Sequence, residues 1–437
     1  MGNVHPDRFQ VNPINGNWLN WLYWNSLTEA YLPGQTFPIT KPTYRQDMKY
    51  DIIADGIKYI GVDDLDIDLF EGQYDVPEGV SYNSYVILDD KIAIMDTADA
   101  RKGDEWMANL EAALDGKKPN YLIVQHFEPD HSGCVKRVMD MYPDMVAVCS
   151  QKAVPMFKRF FDVDFGDRLQ VVKEGETLSL GSHSLLFFMA PMVHWPEVMV
   201  TYEQLTKTLF TADGFGKFGA LCKEEENEEG WACEARRYYF NIVGKYGAMV
   251  QQLLKKAATL DIQRICPLHG PVLDENLGYY IATYDTWSKY EPEDKGVFIA
   301  YCSIYGNTAK AALALADILR EKGERVSTSD IARDDLHEAV EDAFRYDRLV
   351  LCAPTYDGGV MPIMEDFISH LRIKTYQNRK VAFVENGTWA PAAGKKMKEE
   401  MEAMKHITIV EPIVTVESAV KAKTIEDLKV LADALLA

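Results

Sequence analysis

Four of the chain's nine histidines and three of its acids are spaced so that they could hold a pair of metal ions. His126, Glu128, Asp130 and His131 lie within Gln125-His126-Phe127-Glu128-Pro129-Asp130-His131-Ser132-Gly133, directly after the apolar run Tyr121-Leu122-Ile123-Val124. Three more follow apolar stretches downstream: His194 in Met192-Val193-His194-Trp195-Pro196, Asp213 in Phe210-Thr211-Ala212-Asp213-Gly214, and His269 in Cys266-Pro267-Leu268-His269-Gly270. Imidazole nitrogens and carboxylate oxygens are the donors that first-row transition metals take. Each residue is expected just beyond a buried strand, where open α/β sheets carry their chemistry. A lone His-x-Glu would be an ordinary surface or core feature; seven such residues after four strands point to a metal centre.

A second group of residues suits a phosphate. The strand-like run Val297-Phe298-Ile299-Ala300-Tyr301-Cys302 passes through Ser303-Ile304-Tyr305-Gly306-Asn307-Thr308 into an Ala/Leu-rich helix, 309–322, stopped by Gly323. Hydroxyls and backbone N–H groups at such a helix start cradle a phosphate with no lysine needed. Two further strands, 348–353 and 381–384, lead into Pro354-Thr355-Tyr356-Asp357-Gly358-Gly359 and Glu385-Asn386-Gly387-Thr388-Trp389-Ala390. In a doubly wound sheet all three loops emerge side by side at the switch point.

The H-x-E-x-D-H pattern followed by H, D and H resembles the binuclear-metal domain of the metallo-β-lactamase superfamily, whose hydrolases usually read H-x-H-x-D-H. Here Glu128 stands at the second histidine, and a carboxylate in place of a neutral imidazole makes the site harder, favouring iron or manganese over zinc. That exchange marks the flavodiiron proteins, or A-type flavoproteins, which this chain resembles. The resemblance implies His126, Glu128 and His194 on one iron, Asp130, His131 and His269 on the other, and Asp213 bridging. Two Fe(II) ions would bring four positive charges and the carboxylates three negative ones, so a bridging hydroxide would leave the buried site near neutral. An open position on each iron would take substrate. The three loops resemble those of flavodoxin. This implies FMN, its phosphate on Ser303 to Thr308 and its ring beside the other two loops, with Tyr356 and Trp389 packed against it.

These residues need two domains to position them, and 437 residues are enough for two large cores. The expected architecture is an N-terminal metallo-β-lactamase-like αββα sandwich over 48–288, a linker at 289–296, and a flavodoxin-like doubly wound parallel sheet of five strands over 297–437. Strands are expected at 82–88 and 91–96, and helices at 105–114, 134–141 and 153–161. Residues 1–47 lie outside the resemblance and contain Trp18, Trp21 and Trp24. They are expected to be either a start placed too early, with Met48 the true initiator, or a docking segment.

A net charge of −21 argues against nucleic acid or an anionic membrane as partner. No run of eighteen apolar residues occurs and the N-terminus has no basic region followed by an apolar stretch, so a soluble, cytoplasmic protein is expected. The seven cysteines are scattered without a C-x-x-C; reduced core residues are expected. No four-cysteine rubredoxin-type site is present, so electrons should come from a separate donor, which the resemblance identifies as rubredoxin.

The resemblance implies an oxidoreductase that passes electrons through FMN to a diiron site and reduces O2 to water and/or NO to N2O, working as a head-to-tail homodimer or dimer of dimers. One position departs from the family pattern: Glu71 in Leu69-Phe70-Glu71-Gly72-Gln73-Tyr74 stands where many members carry histidine. It could donate protons or hydrogen bond a ligand, or be a solvated loop acid. The acidic stretch from Lys223 to Glu229 is read as a solvated face, with donor docking as the sharper alternative. Two other functions stay open: a zinc-dependent hydrolase with an appended flavodoxin-like domain, against which Glu128 speaks, and a non-catalytic flavin electron carrier, against which the complete ligand set speaks.

Overall fold

Strands that are apolar on both faces must be covered twice. In the computed structural model, which describes residues 52–223 and 230–437, those of the first half form two facing sheets. The first runs in the order β1 (Ile52–Ala54), β2 (Ile57–Tyr59), β3 (Tyr85–Ile87), β4 (Ala93–Met95), β5 (Tyr121–Val124), β6 (Val146–Ser150) and β7 (Leu169–Val172), antiparallel up to β4 and parallel beyond it. The second comprises β8 (Thr177–Ser179), β9 (Ser184–Met189), β10 (Met199–Glu203), β11 (Thr208–Phe210) and β12 (Arg264–Cys266), with only its last pair parallel. Successive side chains alternate between faces. Ile87, Met95, Ile123 and Val148 therefore meet Leu185, Phe187, Met199 and Phe210 in a layer between the sheets. Val86, Ile94, Leu122 and Ala147 turn outward to the core that includes Trp106 and Leu110 of α1 (Gly103–Leu114). Asp104 and Glu105 complement the dipole at the start of α1, and left-handed Asp115 ends it. Later in the chain come α2 (Trp231–Tyr238), continued by a π-helical turn over Tyr239–Val243, and α3 (Leu277–Ser288). The layers are those of an αββα sandwich.

The second half is a parallel sheet in the order β14 (Val326–Asp330), β13 (Asp294–Tyr301), β15 (Tyr346–Tyr356), β16 (Arg379–Asn386). On the outer edge of β16, β17 (Ile407–Ile409) and β18 (Val414–Val416) pair one after the other, so the fifth strand is split. One face carries α4 (Asn307–Glu321) and the C-terminal helix Ala422–Leu436. The other packs α5 (Leu336–Arg345), α6 (Pro362–Ile373) and α7 (Ala393–Glu402). This is the expected flavodoxin-like topology.

Three boundaries differ from expectation. The strand expected at 82–88 breaks at Asn83 and Ser84, because Asn83 leaves the ladder to donate its side-chain amide to Pro267 O at 2.9 Å and Gly270 O at 2.7 Å. That clamp fixes the loop carrying His269. The linker expected over 289–296 is shorter, since β13 already starts at Asp294. Finally, the halves are joined by packing: each keeps a buried cluster of its own, and a third cluster runs across both within the compact unit Met48–Ala437. Phe240 stacks on Phe344 of α5 with centroids 4.3 Å apart, Arg236 pairs with Glu293 at 2.7 Å and with Glu341, and Arg237 pairs with Asp335 at 2.7 Å. Residues 1–47, with Trp18, Trp21 and Trp24, and the acids from Glu224 to Glu229 lie outside the described residues. Among the described residues no helix is long and apolar enough to cross a membrane, and all seven cysteines are free thiols, five of them buried.

Candidate metal centre and cofactor cleft

The seven donors of the first group converge from four loops. His126 follows β5, and Glu128 caps the short helix Pro129–Ser132 that holds Asp130 and His131. Asp213 follows β11 and His269 follows β12. His194 sits in the turn between β9 and β10 and not directly at a strand end. The donors form two groups, His126, Glu128, His194 and Asp213, and Asp130, His131 and His269. Asp213 faces both. Its Oδ2 lies 3.2 Å from His126 Nε2 and 3.1 Å from His194 Nε2, and its Oδ1 lies 3.2 Å from His131 Nε2 and 3.8 Å from His269 Nε2. Glu128 Oε2 completes the first group, 2.9 Å from His194 Nε2 and 3.2 Å from His126 Nε2. Asp130 Oδ2 completes the second, 3.2 and 3.3 Å from the Nε2 atoms of His131 and His269. Separations near 3 Å are the edges of a coordination shell with bonds of about 2.1 Å.

The residues fit a pair of cations on independent grounds. Asp213 is wholly buried and Asp130 nearly so, yet no hydrogen bond reaches any of their four carboxylate oxygens. Such groups are costly to bury without a positive partner. His269 Nδ1 donates to Ser81 O at 2.7 Å and His126 Nδ1 to Glu197 Oε1 at 2.9 Å. Both imidazoles therefore turn an Nε2 lone pair into the site. Burial by itself would lower the basicity of His126 and His194, but Asp213 and Glu128 reverse this, raising His126 well above its usual range and His194 to about 9. Against the cost of burial, the same imidazoles draw Glu128 and Asp213 below the usual carboxylate range. The site is an anionic well that attracts positive charge.

Glu71 lies beside Glu128 with left-handed backbone, its outer surface exposed and Gln73 Nε2 donating to it at 3.3 Å. Its carboxyl lies in the field of Glu128. Crowding by surrounding protein and then the Glu128 charge push it up to about 7. Three residues escaped the sequence reading. Glu197, buried, orients His126 and also accepts from Phe127 N at 2.9 Å. Its place three residues after His194 was the available signal. Ser81, through its carbonyl, left no trace in the sequence. Tyr238 is fully buried with its ring 5.4 Å from that of His269 and its hydroxyl unpartnered.

The second group of residues surrounds a cleft of about 580 Å3, within the range of small-molecule sites. All three loops contribute, together with Ser418. Gly306 takes a left-handed turn and donates its N–H to Ser303 Oγ at 3.0 Å, which opens the start of α4 toward Asn307 and Thr308. Thr355 Oγ1 accepts from Ala392 N and Ala393 N at 2.9 and 3.1 Å and ties the second loop to the start of α7. Asn386 Nδ2 donates to Ser418 O at 3.2 Å. Trp389 and Tyr305 border the cleft, 81% and 90% exposed, as surfaces for a flat ring. Of the residues expected here, Gly306, Tyr356 and Gly359 do not line this cleft; Tyr356 lies on a neighbouring one with Arg333 and Met361.

A metallo-β-lactamase-like sandwich with two facing donor groups, followed by a flavodoxin-like sheet with a flavin-sized cleft, defines a flavin- and metal-dependent oxidoreductase. Residues 80–270 match the ODP family beta lactamase and residues 298–410 a flavodoxin domain. The chain is 31% identical over 350 residues to an uncharacterized protein of Methanocaldococcus jannaschii, covering 79% of this chain and 88% of that one. It is 31% identical over 373 residues to a nitric oxide reductase of Moorella thermoacetica, covering 84% and 92%. Among solved structures, the rubredoxin oxygen:oxidoreductase of Desulfovibrio gigas superposes with a TM-score of 0.82 at 25% identity, covering 89% of this chain and 98% of that one. The chain belongs to the flavodiiron, or A-type flavoprotein, family: an enzyme with FMN and a diiron site as cofactors.

Proposed function

We propose that this flavodiiron oxidoreductase takes electrons from an external donor of the rubredoxin kind and reduces O2 to water and/or NO to N2O. The observation that carries the reading is Asp213, whose two oxygens each face a different set of histidines and carboxylates. Relatives named for nitric oxide reduction and for rubredoxin-dependent oxygen reduction support the choice of gases and donor.

His126, Glu128 and His194 would hold one iron and Asp130, His131 and His269 the other, with Asp213 facing both. When bound, FMN would supply one-electron transfer and the two irons a store of two electrons for the gas. The protein does the rest. Glu197 and the Ser81 carbonyl fix the imidazole tautomers. Phe70, Tyr82 and Tyr238 around His269, and Trp195 against His126, restrict water. Glu71, beside Glu128 and open to solvent, carries protons to the substrate position, a role suited to a carboxyl that surrounding protein and the Glu128 charge push upward. Ser303, Asn307 and Thr308 would hold the FMN phosphate, and Pro354, Thr355, Asp357 and Gly358 together with the 386–389 loop would hold its ring. The working unit is a head-to-tail dimer in the cytoplasm, with the sandwich over 48–288 and the flavin domain over 297–437.

The test is gas consumption by the iron- and FMN-loaded protein fed by reduced rubredoxin. Loss of O2 without peroxide, or of NO with N2O appearing, is the expected result. Uptake of neither gas, with zinc as the native metal, would establish the hydrolase instead.

A further inference from the structure

We propose that the aromatic side chains between α2 and α3 form a one-electron conduit from the metal centre to the surface, supplying electrons from solution when FMN cannot. The inference rests on the reading that the centre holds two irons. Reducing O2 to water takes four electrons. Two Fe(II) ions provide two, so a centre that meets O2 while its FMN is oxidised is two electrons short and would attack its own ligands.

The path begins two residues from Asp213. Phe215 N donates to the Tyr284 hydroxyl at 2.6 Å, and the two rings stack at 4.1 Å. Tyr284 lies 5.5 Å from Trp287 and 6.3 Å from Trp231, and the two indoles are nearly parallel, 11° apart in plane and 5.8 Å between centroids. Trp231 meets Tyr280 at 4.8 Å, and Tyr280 meets Tyr279 at 5.3 Å. Tyr284, Trp287 and Trp231 are buried, whereas Tyr279 is 50% exposed. With Trp231 and Tyr280 it lines an open surface cleft of about 590 Å3. From Tyr284 outward every ring is a phenol or an indole, which give up one electron far more readily than phenylalanine would. The Tyr284 hydroxyl and the Trp287 N–H also have structural partners in Phe215 N and Glu293, so the unbroken run of oxidisable rings out to Tyr279 is the feature that points to electron transfer.

The structure also provides for the proton. Trp287 Nε1 donates to Glu293 Oε2 at 2.8 Å, and Glu293 is partly open to solvent. An indole that loses an electron becomes strongly acidic. In the proposed step one electron passes from Trp287 through Tyr284 to the centre, the indole proton crosses to Glu293, and a neutral tryptophan radical remains. Tyr279 refills it through Tyr280 and Trp231, losing its phenolic proton to water as Glu293 returns its own to the indole. A thiol in the surface cleft then restores Tyr279, giving up one electron and one proton and leaving as a thiyl radical. Two such passages cover the shortfall.

The test uses Fe(II)-loaded holoprotein with oxidised FMN and no donor, mixed with O2, frozen and examined by electron paramagnetic resonance. An aromatic radical is expected with O2. It should be absent with NO, whose reduction to N2O needs only the two electrons already stored. Trp287→Phe should abolish the radical and move oxygen adducts, read by peptide mass spectrometry, from Tyr279 and Trp231 to the segment around His126. Tyr279→Phe, a surface change that does not threaten folding, should keep the radical but slow its quenching by added glutathione. Both variants should reduce gases normally when fed by rubredoxin. No radical in wild-type protein that consumes gas normally, or the same radical in Trp287→Phe, or unchanged quenching in Tyr279→Phe, would overturn the conduit while leaving the proposed function standing. Protein that binds no iron and consumes no gas would defeat both.

Discussion

At the scale of single residues, Glu128 sets the character of the centre. It is the one donor that separates this set from the usual zinc hydrolase pattern, and its Oε2 lies between His126 and His194. Glu128→His is expected to shift the metal content of purified protein from iron toward zinc and to abolish gas reduction, read by elemental analysis and gas uptake. Glu197→Ala removes the acceptor that fixes His126 and should lower metal affinity about 10- to 100-fold, measured by competition with a chelator. Exchanging Glu71→Gln should slow turnover with both gases and flatten its dependence on pH on the neutral side of the usual carboxylate range, the direction in which burial and the Glu128 charge push the Glu71 carboxyl; unchanged profiles would return Glu71 to a solvated loop acid. The seven donors were legible because their spacing is local within each loop. Glu197 and Ser81 were not, because what they do depends on an imidazole brought in from another part of the chain.

At the scale of elements, the rule that places chemistry at strand ends found three loops of the flavin cleft and missed the fourth. Ser418 follows β18, and splitting the fifth strand leaves two three-residue pieces too short to show a period. Strand β3 differs in the opposite sense: the stretch from 82 to 88 reads as one strand despite polar Asn83 and Ser84, and only the loop holding His269 explains why Asn83 turns away. Asp335 supports a prediction at this level. It caps α5 and pairs with Arg237 of α2. Partial burial opposes its charge, but bonds from His337 and the Arg237 guanidinium hold its carboxyl well below the usual range. A carboxyl depressed on folding contributes stability that is present above about pH 4 and lost as pH falls through its lower folded value. Asp335→Asn is therefore expected to cost about 1 kcal/mol at pH 7, with the difference shrinking in acid, as read from urea midpoints at several pH values.

At the scale of the molecule, the sequence showed two fold patterns but not how they join. Polarity around 289–296 read as a linker, whereas Phe240, Trp287, Phe344 and Phe367 belong to one core that spans both halves. Heat should therefore release iron and flavin in a single transition. Phe240→Ala, which deletes the stacked partner of Phe344, should destabilise that transition by about 3–5 kcal/mol, and separate melting of the two halves would contradict a shared core. The shared core also limits what can be transplanted. A flavodoxin half cut out at Asp294 would carry Phe344 onto an open surface and leave Glu341 without Arg236. A metal half cut off there would strand Phe240 and Arg236 in the same way. The halves resemble modules found elsewhere, but in this chain neither is portable: domain shuffling would have to move the pair together, and a chimera built by exchanging one half would have to rebuild the face of α5 before any electron could cross it.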